Sequence, residues 1–171
     1  PVTHDVHATV VFLFIFCAVV FFAPEMGGYF LEKPNFEQAN PLKTPEHIAP
    51  VWYYTPYYAM LRAATYPLFG LDAKFWGFVV MGAAILLPAV LPWLDRSKVK
   101  SIRYKGLASK VMLGIFVVSF FVLGYLGTIA PSTWATLLSQ FCTVLYFAYF
   151  VLMPWYTRVE KTKPEPERVT T

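Results

Sequence analysis

Long apolar runs bounded by prolines or by clusters of charge dominate the chain. The first covers residues 8–23. It is short for a bilayer that needs roughly 20 residues, so Val6 and the Met26-Gly27-Gly28 turn are expected to complete it, with Pro24 marking the exit. The second covers residues 75–94 without a charge and holds Pro88 and Pro92, which predict a kink in its far part. Residues 111–157 carry no formal charge at all. That run is about twice the length of one span, so it must fold back. Pro131-Ser132-Thr133 is the one strong breaker in its middle, which predicts spans at 110–129 and 133–154. The pattern predicts an all-α integral membrane protein with four transmembrane helices and a long loop, 24–74, between the first two.

Within that loop, Thr55 is placed to cap a short helix with Pro56 at its first position, running to about Ala64. Its faces are almost all apolar or aromatic, so it is expected at the membrane interface. The segment before it has Gly, Pro and Asn at short intervals and reads as irregular backbone packed on protein. Residues 158–171 form a polar tail, whose Pro-rich stretch 161–167 is expected to be disordered.

Charge sets the orientation. Arg96, Lys98, Lys100, Arg103, Lys105 and Lys110 flank or occupy the loop after the second span, and the tail holds Arg158, Lys161, Lys163 and Arg168. Those are 10 of the 14 basic residues, so both regions and both termini are predicted to be cytoplasmic and the 24–74 loop periplasmic.

Composition agrees. Charged residues are 14%, against roughly 25% in soluble domains, and the mean hydropathy is +0.52. The net charge of +4 gathers at the ends of apolar runs, which suits membrane lipid and not nucleic acid. Cys17 and Cys142 lie inside apolar runs without metal spacing and read as small core residues. Pro1 opens the chain with neither an initiator Met nor a signal pattern, as expected of a fragment, a processed half or a split subunit.

The candidate chemistry gathers in residues 44–62. His47, Trp52, Tyr53, Tyr54, Tyr57 and Tyr58 lie there, stiffened by Pro45, Pro50 and Pro56, with Glu46 beside His47. Stiff walls, ring faces and a proton acceptor suit a flat, partly polar ligand. A surface loop anchored by Trp and Tyr at headgroup level fits the same residues. Pro50-Val51-Trp52-Tyr53, followed by Tyr58-Ala59-Met60-Leu61-Arg62, resembles the Pro-Glu-Trp-Tyr signature and following Tyr-Ala-Ile-Leu-Arg of the cytochrome b family. Ala39-Asn40-Pro41-Leu42, Thr44-Pro45-x-His47-Ile48 and Phe22-Ala23-Pro24-Glu25 extend the likeness over nearly the whole chain, as that family's C-terminal half. Val51 departs from the pattern, standing where the usual member has Glu.

The resemblance implies the membrane core of a ubiquinol–cytochrome c reductase, with residues 1–157 as the membrane domain. Ubiquinol or ubiquinone would be the substrate. Tyr58, Tyr54, Ile48, Pro50 and Val51 would line the quinol-oxidising site, with Trp52 and Tyr53 either lining it or anchoring the interface. Arg62 would be structural. Asp5, with His4 beside it, matches the family's acidic residue at the quinone-reducing site, and an Asp–His pair at a wet helix mouth suits proton uptake. Glu46, with His47 beside it, is the candidate to replace the missing carboxylate in proton exit. The b-type haems would be held by an absent N-terminal half, leaving this segment without haem ligands of its own and inactive alone. The expected partners are that half, a Rieske iron–sulfur protein and a cytochrome c-type subunit, in a dimeric complex of a bacterial inner membrane in preference to a mitochondrial one. The rival reading is a non-enzymatic membrane scaffold with an aromatic interfacial loop. Oxidation of quinol in one and the absence of any bound quinone in the other tell them apart.

Overall fold

The computed structural model describes residues 1–28, 36–44 and 49–167. The chain divides into two units, Pro1–Trp52 and Tyr53–Thr171.

In the first unit, helix α1 runs over Val2–Phe22. Its 21 residues extend about 31 Å, enough to cross a hydrocarbon core. The helix starts six residues before the predicted run because His4, Asp5 and His7 occupy its first two turns, where an acid is favoured by the helix dipole. No α1 residue is buried, though Cys17, Ala18 and Val19 are half-buried, and apolar side chains surround the helix. Gly27 takes a left-handed φ of +68° in the turn after it. Further on, the Asn40 carboxamide oxygen accepts from Leu42 N–H at 3.0 Å and closes a small turn, in keeping with an irregular loop.

The second unit holds α2 (Thr55–Ala63), α3 (Ala73–Leu86), α4 (Leu91–Leu94), α5 (Leu107–Thr128), α6 (Thr133–Val151) and α7 (Met153–Val159). Pro88 has no N–H to donate, and at Leu87–Val90 the chain tightens to a 3-10 turn before α4 resumes, as the prolines predict. α3 with α4, α5 and α6 are each long and apolar enough to span a membrane, as is α1. The core lies between α5 and α6, where Phe116 meets Tyr149, Tyr146 and Phe150 with ring centroids 4.6, 4.9 and 5.4 Å apart. The Tyr146 hydroxyl donates to the Ala84 carbonyl at 2.8 Å, which ties α6 to α3 in a region with no water to satisfy either group.

The short α2 differs from expectation in two ways. Thr55 is its first residue and not its cap: Tyr54 holds the N-cap position and no side chain caps it. The helix also does more than lie on an interface. Thr55, Pro56, Ala59, Met60 and Ala63 are buried on one face, against α5, α3 and α6. Close approach is possible because Gly127 and Gly77 leave room. A Cβ at Gly127 would stand 2.2 Å from the Thr55 carbonyl oxygen, and one at Gly77 would stand 2.6 Å from that of Leu61. Gly82 and Gly114, in contrast, face open space.

The basic loop and the tail meet at the far end of this unit. Lys105 pairs with Asp95 at 2.5 Å. The Glu160 carboxylate accepts from the N–H and the hydroxyl of Ser109, at 3.0 and 2.7 Å, and so caps the start of α5 from outside. Lys163 N–H donates to the Tyr104 carbonyl at 2.8 Å, and Lys100 N–H to the Glu165 carboxylate at 3.3 Å. Lys163 and Glu165, inside the stretch expected to be disordered, are therefore held against the loop. Polar composition did not reveal that the loop opposite offers both unpaired backbone groups and a helix N-terminus. Burial, and then the neighbouring Tyr149, Asp95 and Glu160, push the Tyr156 phenol up, keeping it a proton donor toward the Tyr149 carbonyl.

Candidate functional site

The aromatic stretch enters α2 through a 3-10 turn, Trp52–Tyr54. Trp52 and Tyr53 are each 64% exposed, as a ligand wall or an interface anchor requires. Pro50 is half-buried and Val51 exposed. Tyr54 turns inward: its hydroxyl donates to the Met81 sulfur on α3, and its ring lies 6.4 Å from that of Tyr57. Tyr57 in turn meets Phe120 of α5 edge-on at 6.1 Å.

Tyr58 and Arg62, one turn apart, share a face of α2. The Arg62 guanidinium stands 4.8 Å from the Tyr58 ring centroid. Its fork donates to the carbonyls of Leu126 and Ile129, at 2.6 and 3.2 Å. Those lie at the C-terminal end of α5, which attracts a cation. Arg62 thus fastens α2 to α5 and holds Tyr58 in one place. Gln140 of α6 adds a second tie, donating to the Ala63 carbonyl at 3.0 Å and to the Thr65 hydroxyl at 3.2 Å.

Met81 and Gln140 were not among the predicted site residues. Gln140 had a readable signal, as a carboxamide inside an uncharged span needs a protein partner. Met81 had none. A cleft of about 470 Å³ opens between Thr65, Tyr66, Ser132, Thr133, Thr136 and Gln140, and none of the predicted site residues lines it. Ile48, Glu46 and His47 lie outside the described residues.

Asp5 and His4 are exposed in the first turn of α1, and the Asp5 carbonyl accepts from the Thr9 hydroxyl at 2.8 Å. His4 and His7, three apart on one helix, point to the same side and do not face each other across a porphyrin plane. The two imidazoles do not fit axial haem ligation.

Four membrane-length apolar helices and an aromatic helix bolted among three of them define a polytopic helical membrane protein. The family described as cytochrome b(C-terminal)/b6/petD matches residues 38–147. The chain belongs to this C-terminal cytochrome b family. It is 63% identical to a cytochrome b of Allochromatium vinosum, over 97% of this chain and 39% of the relative. Identity to a Rhodospirillum rubrum cytochrome b is 39%, over 94% and 37%. A chain of a hyperthermophilic respiratory Complex III shares the fold with a TM-score of 0.79 at 38% identity, covering 94% of this chain and 38% of that one. The chain therefore spans about two-fifths of the length of the relatives it matches.

Proposed function

We propose that this chain forms one wall of the quinol-oxidising site of a ubiquinol–cytochrome c oxidoreductase and contributes to its quinone-reducing site. The observation that carries the reading is the fixing of Tyr58 on, and of Tyr54 at the start of, a short helix packed against three spans, in a chain of the C-terminal cytochrome b family. A quinol is a flat ring with a hydroxyl at each end. Rings of Tyr58, Tyr54 and Trp52, with Ile48, Pro50, Val51 and Tyr53, supply faces and an edge hydroxyl for it.

Oxidation of the quinol to quinone releases two electrons and two protons. Redox centres of partner subunits would take the electrons: the family's N-terminal half would hold the b-type haems, and a Rieske protein and a cytochrome c-type subunit would complete a dimeric, lipid-embedded enzyme. The protons need an acceptor that Val51 cannot be. Glu46, with His47, takes that role in this reading. Its test is that Glu46→Gln slows quinol oxidation and that Val51→Glu in the same chain restores it; a wild-type rate in Glu46→Gln contradicts it. At the quinone-reducing site, Asp5 and His4 deliver protons to a quinone being reduced.

Purifying the complex through a tag on this chain tests the whole proposal. A b-type haem difference spectrum together with quinol-dependent cytochrome c reduction is expected. A stable assembly with neither supports the scaffold reading.

A further inference from the structure

Arg62 uses Nη1 and Nη2 on the end of α5, but its Nε is buried, and no acceptor among the described residues reaches it. A buried donor left unpaired costs about 1–3 kcal/mol, more when it is part of a charged group. Arg62 also lines a void of about 10 Å³, together with Ala63, Pro131, Ala135, Thr136 and Ser139. That is close to the space one water centre occupies, and the lining is not apolar, as it is in cavities that stay dry. Ser139 donates its own hydroxyl proton to the Ala135 carbonyl at 2.8 Å, which leaves the lone pairs of its oxygen to accept. Thr136 adds a second hydroxyl. Pro131 and Thr136 also line the 470 Å³ cleft, which supplies a way in from solvent.

We infer that this void is a binding site for one ordered water, which accepts from Arg62 Nε–H and donates to the hydroxyls of Ser139 and Thr136. Three hydrogen bonds are the usual complement of a buried water. The water fixes the guanidinium that stands over Tyr58, and it adds a link between α2 and α6 beside the one Gln140 makes to Ala63. The inference rests on the packing of the second unit alone and does not depend on quinol oxidation.

The test is a density map of the whole complex, at a resolution that shows ordered water, for the natural chain and for a Thr136→Val, Ser139→Ala double variant. The natural chain is expected to show a single peak about 2.7–3.2 Å from Arg62 Nε. The double variant, which keeps the Nη bonds, is expected to lose it. A natural-chain map with other buried waters but none at Nε overturns the inference. An undiminished peak in the variant overturns the assigned hydroxyl partners. If the variant does not assemble, the natural-chain map decides.

Discussion

Arg62 shows how one side chain serves both stability and site geometry. Its fork spans two carbonyls of α5 while its face covers Tyr58. Removing it strips the end of α5 of a charged donor pair, and hydrogen bonds to charged groups contribute about 1.5–3 kcal/mol each. Arg62→Ala is therefore expected to lower the melting temperature of the purified complex clearly. Arg62→Lys should recover only part of the loss, because an ammonium cannot bridge both carbonyls as a planar fork does. Full recovery by Lys would show that charge alone matters. The sequence pointed to Tyr58, Arg62 and their shared face, since i and i+4 residues meet on any helix. It could not reveal what Arg62 grips, because Leu126 and Ile129 lie 64 and 67 residues away. The Tyr54–Met81 contact, 27 residues apart, was equally beyond local pattern.

At the scale of elements, the spans were readable because lipid removes the choice between helix and anything else over a long apolar run. The fold-back at Pro131-Ser132-Thr133 shows this well: α5 ends at Thr128 and α6 starts at Thr133, with the Ser132 hydroxyl accepting from Ala135 N–H. Less readable was which glycine matters, since every glycine in an apolar run looks alike. Only the arrival of α2 distinguishes them. Gly127→Ala would push a methyl into the Thr55 carbonyl, and overpacking of this kind costs about 1–3 kcal/mol. The expected result is displacement of α2, seen as reduced assembly and reduced quinol-dependent turnover. Gly82→Ala meets nothing within 4 Å and should leave both unchanged. Equal effects of the two would mean that α2 does not bear on α5 at Gly127.

For the molecule as a whole, the distribution of charge foretold that the basic loop and tail share one end, and their contacts agree. It did not foretell that the tail is docked, because acidic tail residues such as Glu160 and Glu165 look solvated until the start of α5 and the loop before it face them. Which side of the membrane that end occupies is a separate matter. Single cysteines at Lys43 and Ser101, introduced with Cys17 and Cys142 replaced by Ala, should react with an impermeant thiol reagent from opposite sides of the membrane, Ser101→Cys from the cytoplasm. Reaction of both from one side would overturn the proposed topology. The central claim is that Tyr58, held by Arg62, faces the quinol. The most direct measurement is the single-turnover rate of b-haem reduction by quinol in the complex, with the quinone-reducing site inhibited, for Tyr58→Leu against the natural chain. The hydroxyl and ring face lost at the reacting molecule should slow this step by about tenfold or more. Haem reduction through the other site should be unaffected. A natural rate of quinol-driven reduction in Tyr58→Leu, in a fully assembled complex, would contradict it.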